Sequence, residues 1–406
     1  MWYLEIIFWI SLGIIFYTYA GYGIILWALV KIKERFGRKR PFLTPPTDED
    51  LPELTLFIAA YNEEDVVDEK MANCLALDYP NEKLNILWVT DGSTDATNAR
   101  LAEWPQAKVL YQPLRMGKTA ALNRGMREVR TPYVVFTDAN TFINREALRN
   151  IVEAFADPRV GCVAGEKRVR AGGNANAAAG GEGLYWRYES TLKDLDARLY
   201  SAAGAAGELF AIRTSLYEGL KADTLLDDFV LSLRIVMRGY TIAYRHDAYA
   251  TEGGSANIRE EQKRKVRIAA GGLQSIARLL PLLNPLKYGV FTFQYISHRV
   301  LRWTLTPVLL FALLPLNIVL LFSPERPLLY AVIWFLQALF YLAGSWGAYL
   351  AGKNIKHKYL FVPYYFLFMN ANVLRGFRYL YRRKGEQSGA WEKAKRREAF
   401  SSQSPS

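Results

Sequence analysis

The sequence predicts an α/β protein built on a doubly wound, mostly parallel sheet, with membrane helices on either side of it in the chain. Two observations carry this. Four strand-like runs, Leu54–Ala60, Leu84–Thr90, Ala107–Gln112 and Tyr133–Asp138, alternate with helical patterns, and that alternation builds parallel sheets. Outside them, residues 2–30 hold a single charge, Glu5, and Val300–Phe322 and Leu328–Leu350 are each long enough to cross a bilayer, which takes about 20 apolar residues.

Residues 1–30 lack a basic leading region, and their apolar stretch exceeds the roughly 7–15 residues of a signal peptide, so they read as an uncleaved anchor. Lys31, Lys33, Arg35, Arg38, Lys39 and Arg40 follow, which by the positive-inside rule puts the next segment in the cytoplasm and the amino terminus outside. Residues 31–53 form a basic, Pro-rich linker, and 54–258 the cytoplasmic folded domain. Residues 259–298 begin with Arg-Glu-Glu-Gln-Lys-Arg-Lys-Val-Arg and turn apolar, the pattern of helices lying on a membrane surface. Residues 299–351 make a transmembrane hairpin. In 352–406, Tyr359–Leu380 is long enough to cross, but crossing would export Arg382, Arg383, Lys384, Lys393, Lys395, Arg396 and Arg397, so an interfacial or re-entrant segment with a basic cytoplasmic tail is expected.

The net charge of +12 concentrates beside the apolar segments, which suits anionic lipid headgroups better than nucleic acid. With only Cys74 and Cys162 present, neither a disulfide framework nor a metal knuckle is indicated, which fits a reducing compartment.

Polar residues gather where the strands end. The run Tyr133–Asp138 closes on Asp138-Ala139-Asn140, a carboxylate and an amide two positions apart and so on one face. At the carboxyl end of a buried strand they suit a hard cation on a diphosphate, although an Asx turn needs no ligand. The first strand runs into Tyr61-Asn62-Glu63-Glu64 and the second into Asp91-Gly92-Ser93-Thr94-Asp95, so three strand ends share one edge. Each could be helix capping alone; three together favour a pocket. Gly117-Lys118-Thr119 opens a helix, but a P-loop needs a glycine at position 112, which is Gln, leaving Lys118 as a phosphate or base contact at a helix start.

Further on, Ala171–Gly183 reads as a mobile loop, and Gly204-Ala205-Ala206-Gly207 as small residues that let a ligand approach the backbone. Asp227 and Asp228 open a helix that ends at Gly239, as dipole-complementing acids or, beside a diphosphate site, with one acting as general base.

The order AYNEE, DGSTD, GKTAALN, DAN, GAAG, an acidic pair and a Q-x-x-basic stretch before membrane spans resembles the membrane-embedded family 2 glycosyltransferases, the group of the poly-N-acetylglucosamine, hyaluronan, chitin and cellulose synthases. The resemblance covers roughly 54–397 and implies a domain of the GT-A type, with Tyr61, Glu63, Asp91, Lys118 and Asp138 on a UDP-sugar and Asp138 and Asn140 on Mg²⁺ or Mn²⁺. It implies Asp228 as the catalytic base and Gly204, Gly207, Asp227, Gln262, Lys265 and Trp391 on the acceptor side. Three positions depart from the family pattern. Asn140 stands for an aspartate, Leu226 and Asp227 for Thr and Glu, and Val266 for the tryptophan of Gln-x-x-Arg-Trp, which stacks on the acceptor sugar in processive members.

The activity implied is an inverting hexosyl transfer to a glycan acceptor at the inner face of the plasma membrane, in surface polysaccharide synthesis with export of the polymer. Two alternatives stand beside it: single-sugar addition to a lipid or lipid-linked acceptor, and a non-catalytic membrane scaffold. The scaffold predicts loss of acids that are here retained, Asp91, Asp138 and Asp228.

Overall fold

A computed structural model describes residues 2–37, 47–170, 177–253, 257–323, 327–353, 355 and 357–382. They form two compact units, one within Met1–Lys31, Ala171–Tyr185 and Ser255–Lys384, the other within Ile32–Arg170 and Trp186–Gly254. The apolar amino-terminal stretch is helical throughout: α1 (Trp2–Phe16) passes through one π-helical turn, Tyr17–Gly21, into α2 (Tyr22–Phe36).

In the sheet unit, β1 (Leu54–Ala60), α3 (Val67–Leu75), β2 (Leu84–Asp91), α4 (Thr97–Ala102), β3 (Ala107–Gln112), α5 (Lys118–Met126) and β4 (Tyr133–Asp138) follow the alternation read from the sequence. All seven residues of β1 are buried, as expected of a central strand covered on both faces. It pairs in parallel with β2 on one side and β4 on the other, and β2 with β3, giving the order 3-2-1-4. Winding reverses between β1 and β4, so a crevice opens at their carboxyl ends.

Beyond β4 the sheet is mixed, more so than the sequence reading anticipated. After β5 (Phe142–Ile143), α6 (Ala147–Ala154), β6 (Val160–Arg170) and α7 (Ala177–Leu199), β7 (Leu209–Arg213) inserts antiparallel between β4 and β6. Following α8 (Asp227–Met237), β8 (Thr241–Gly253) runs parallel to β6 and antiparallel to β5. Helix α7 starts at Ala177, so the alanine-rich part of the stretch expected as loop is helical, in keeping with alanine's propensity. Positions 171–176 lie outside the described residues.

The helical unit continues with α9 (Ile258–Arg278), capped by Asn257, whose side chain accepts from the backbone N–H groups of Arg259 and Glu260. Short helices α10 (Pro285–Tyr288), α11 (Val290–Tyr295) and α12 (Leu301–Trp303) precede α13 (Leu305–Leu320), α14 (Pro327–Gly352) and α15 (Lys358–Arg382). The expected span Val300–Phe322 is not one straight helix. The axis bends by 50° at Thr304, and residues 300–303 belong to the segment before the bend. Pro307 explains the break: it has no N–H to offer the carbonyl of Trp303, and its ring would clash there. Gly344 and Gly347 of α14 leave space for α15, where an added Cβ would lie 2.4 Å from a Leu367 methyl and from the Leu360 carbonyl oxygen respectively. By length and composition Trp2–Phe36 and Pro327–Gly352 can each cross a membrane, and the bent pair makes a third if it counts as one span.

Close packing under the crevice is testable at Gly125 in α5. A Cβ there would stand 2.4 Å from two Phe57 ring carbons and 2.6 Å from a Val89 methyl. Helix propensity alone favours Gly125→Ala by about 1 kcal/mol, but overpacking of this kind costs about 1–3 kcal/mol. The variant is therefore expected to melt below the wild type; an unchanged or higher melting temperature would show that Phe57 can move aside freely.

Candidate active site

The loops that leave β1 and β2 are stitched together. Asn62 takes a left-handed backbone (φ 52°), which Asn tolerates better than most residues, and its N–H donates to Ser93 Oγ at 3.1 Å. The Thr94 N–H returns a bond to Asn62 Oδ1 at 2.9 Å, and the N–H of buried Glu63 donates to Thr97 Oγ1 at 2.8 Å. Asp91, fully buried at the end of β2, accepts from the N–H groups of Met116 (3.1 Å) and Gly117 (2.6 Å). Its carboxylate thus holds the turn that delivers Lys118. Gly92 (φ 70°) permits this approach, since a Cβ there would sit 2.7 Å from the Arg115 nitrogen.

Sequence reasoning missed Arg115. Its guanidinium lies 3.8 Å from the centroid of the Tyr61 ring, so the aromatic expected against the nucleotide base already carries a cation. The available signal was a basic residue three positions before Lys118 in a loop already assigned to the pocket.

The electrostatic centre forms around Lys118, the first residue of α5. Its Nζ lies 3.1 Å from Asp138 Oδ1 at the end of β4 and 3.6 Å from Asp227 Oδ2 at the start of α8. Removal from water would lower the pKa of this ammonium; Asp138, Asp227 and Asp228 overcompensate and hold it above the usual lysine range. Asp228 responds the opposite way. Removal from water, then repulsion from Asp227, push its carboxyl up to about 7, against the pull of Lys118.

Asp228 also borders the small-residue segment: a Cβ on Gly207 would meet Asp228 Oδ2 at 3.4 Å and Lys118 Nζ at 3.7 Å. Space over Gly204 (φ 107°), in contrast, is filled by the Phe229 ring, 2.5 Å from where its Cβ would be, so the lack of a side chain there serves the packing of α8. Next to Gly207, Glu208 pairs at 2.6 Å with buried Lys167, which also pairs with Glu252, a charged cluster that no sequence pattern announced.

The structure thus brings Lys118, Asp138, Gly207, Asp227 and Asp228 together, with Tyr61, Glu63 and Asp91 in the adjoining loops. Gln262 and Lys265 belong to α9 of the helical unit, where Lys265 is buried with its Nζ 3.4 Å from Glu261 Oε1. Trp391 lies outside the described residues. Among the described residues no three His, Cys, Asp or Glu side chains converge as a protein-only metal cage. Asp138 and Asn140 offer a carboxylate and an amide oxygen on one part-exposed turn, a donor set that fits a hard divalent cation completed by phosphate oxygens and water.

The raised Asp228 carboxyl has a consequence for stability. Its folded pKa exceeds the unfolded 3.8, so the folded state binds this proton more tightly, and stability falls as pH rises from about 4 to about 7. Melting temperatures measured from pH 5 to pH 8 should decline less in Asp228→Asn than in the wild type; parallel curves would mean the carboxyl ionises normally in the fold.

A family model described as glycosyl transferase family 2 matches residues 55–220, which hold every site residue named above from Tyr61 to Gly207. A poly-beta-1,6-N-acetyl-D-glucosamine synthase of Staphylococcus aureus (strain MSSA476) is 28% identical over 241 residues, 57% of each chain. This chain therefore spans little more than half the length of that relative. The synthase of the same description from Staphylococcus epidermidis (strain ATCC 35984) is 25% identical over 295 residues, 69% of this chain and 70% of its own. Among solved structures, a mannosyltransferase from Pyrobaculum calidifontis, in complex with GDP-Man and Mn²⁺, superposes with a TM-score of 0.72 at 22% identity, covering 93% of this chain and 99% of its own. Strand order, superposition and sequence match agree: residues 55–220 are a glycosyltransferase family 2 domain of the GT-A fold, accompanied in the chain by apolar helices long enough to cross a membrane.

Proposed function

We propose that this protein transfers a hexosyl group, with inversion, from a UDP-sugar to a hydroxyl of a growing glycan, in surface polysaccharide synthesis. The observation that carries this reading is Asp228: a carboxyl pushed up to about 7, beside the backbone of Gly207 and the Lys118–Asp138 pair. A base is most effective when its pKa lies near the working pH, because it is then both ionised and basic enough to take a proton.

The acceptor oxygen attacks the anomeric carbon from the face opposite the diphosphate; the new C–O bond forms as the bond to the diphosphate breaks, and the electron pair leaves with that group. Asp228 takes the hydroxyl proton. Lys118, kept charged by its three carboxylate neighbours, faces the diphosphate as an electrostatic partner, Tyr61 and Glu63 frame the base and ribose, and Asp91 acts from behind by holding the Met116–Gly117 turn. A Mg²⁺ or Mn²⁺ held by Asp138 and Asn140 would neutralise the departing diphosphate. The UDP-N-acetylhexosamine class is the favoured donor, because the bacterial relatives are named for polymers of N-acetylglucosamine.

The same pocket suits single-sugar addition to a lipid-linked acceptor, and one observation favours it: Val266 occupies the position of the tryptophan that stacks on the acceptor in processive members. The basic clusters at 31–40 and 382–397 support a multi-pass inner-membrane protein with both clusters in the cytoplasm, and with α9 and α15 lying at or within the membrane surface. Cysteines introduced near Lys39 and near Lys395 should both resist a membrane-impermeant thiol reagent in intact cells. Labelling near Lys395 alone would mean that α15 crosses.

Transfer should stop when divalent cations are chelated, and full activity in excess EDTA would refute the cation's role. Asp228→Asn should bind UDP about as tightly as the wild type while its transfer rate falls by about 10²–10⁴-fold. In a pH profile, kcat/KM should rise to a plateau above about 7. Since repulsion from Asp227 helps raise the Asp228 carboxyl, Asp227→Asn should move that limb to lower pH and reduce turnover far less. Near-normal turnover in Asp228→Asn would return the acidic pair to a helix-capping role.

A further inference from the structure

Helix α3 takes no part in the chemistry above, yet it buries a lysine directly against the Asp138–Asn140 turn. Lys70 is 0% exposed; its Nζ donates to the Thr141 carbonyl oxygen at 2.6 Å and to Thr137 Oγ1 at 3.2 Å. One turn further along the same face, Asn73 clips the chain again: its Nδ2 donates to the Ile143 carbonyl at 2.9 Å and its Oδ1 accepts the Ile143 N–H at 3.0 Å. The two threonines complete the set. Their hydroxyls lie 2.9 Å apart, Thr137 donates to the Glu208 carbonyl at 3.0 Å, and Thr141 Oγ1 donates to the Asp138 carbonyl at 2.9 Å.

The backbone is therefore anchored on both sides of Asp138-Ala139-Asn140, at Thr137 before it and at Thr141 and Ile143 after it. Burial lowers the Lys70 ammonium to about 8, an effect partly offset by Cys74 and by the Asp138 carboxylate. The neighbouring inward positions of α3, Val67, Met71 and Cys74, are apolar or nearly so. A methionine at position 70 would suit the same core without desolvating a charge, so core filling does not account for a lysine there.

We propose that Lys70 is a positioning residue for the diphosphate end of the donor: by fixing the carbonyl of Thr141 and the hydroxyl of Thr137, it sets the geometry of the turn that presents Asp138 and Asn140. This rests on the donor reading given above. Side chains that orient metal-binding groups from behind act on cation affinity without touching the cation. Lys70 acts through the turn, by its bonds to Thr137 and Thr141.

The test uses the full-length protein in nanodiscs and titration calorimetry with UDP plus Mn²⁺, and with UMP in the absence of metal as a probe of the base and ribose site alone. Lys70→Met should weaken Mn²⁺-dependent UDP binding by about 10–100-fold while UMP binding stays within about twofold, the range seen when support behind a metal ligand is removed. The donor KM should rise with the acceptor KM unchanged. Lys70→Gln, which keeps a donor for the Thr141 carbonyl, should recover part of the loss, and it decides the matter by the same ratio if Lys70→Met fails to fold. Equal loss of UDP and UMP binding, or UDP–Mn²⁺ binding like that of the wild type, would overturn the proposal while leaving the donor reading intact. If the wild type does not bind UDP in the presence of Mn²⁺, the donor reading falls and this inference with it.

Discussion

The ammonium of Lys118, held among Asp138, Asp227 and Asp228, is the interaction on which the site depends. Those carboxylates come from the end of β4 and the start of α8, roughly 90 residues apart in the chain, and one half-buried cation lets them approach without mutual repulsion opening the crevice. A single lysine cannot balance three acids. At Asp228 removal from water, reinforced by repulsion from Asp227, outweighs the pull of Lys118 and raises the carboxyl to about 7, a range useful for taking a proton at neutral pH.

That arrangement needs a frame, and the frame is the reversal of winding between β1 and β4. Because β2 and β4 both lie parallel to β1, the loops after all three strands reach the same edge, and Asp91 spends its carboxylate on positioning the next loop. Insertion of β7 antiparallel to β4 then brings Gly207 and Glu208 to the same turn, where the Glu208 carbonyl accepts from Thr137. The Asp138–Asn140 turn and the small-residue segment are thus joined by one hydrogen-bond set rather than merely adjacent.

The helical unit follows a different logic. Its interfaces rely on glycine and alanine where helices touch, as at Gly344, Gly347 and Gly376, where van der Waals contact must replace the hydrophobic effect if the surroundings are lipid. The kink at Thr304 belongs to the same unit and arises from a proline that was visible in the sequence, although an apolarity average over Val300–Phe322 hides it.

Local pattern alone was enough for the elements and the polar strand ends. The bounds of β1, β3 and β4 coincide with the apolar runs, β2 is longer by Asp91 alone, and α8 opens at Asp227 and closes before Gly239 (φ 91°), because apolar and β-branched runs, acids at a helix start and a glycine past its end are written in neighbouring residues. Partners distant in the chain were beyond its reach. Nothing local to Lys70 says that its ammonium meets Thr141, nothing near Lys167 points to Glu208 and Glu252, and Arg115 gave no sign of lying over Tyr61. The mixed second half of the sheet was equally hidden, since periodicity reports which face of a strand is buried but not which strand lies beside it. Buried charges are placed by the packing of whole elements, so only the tertiary structure could decide them.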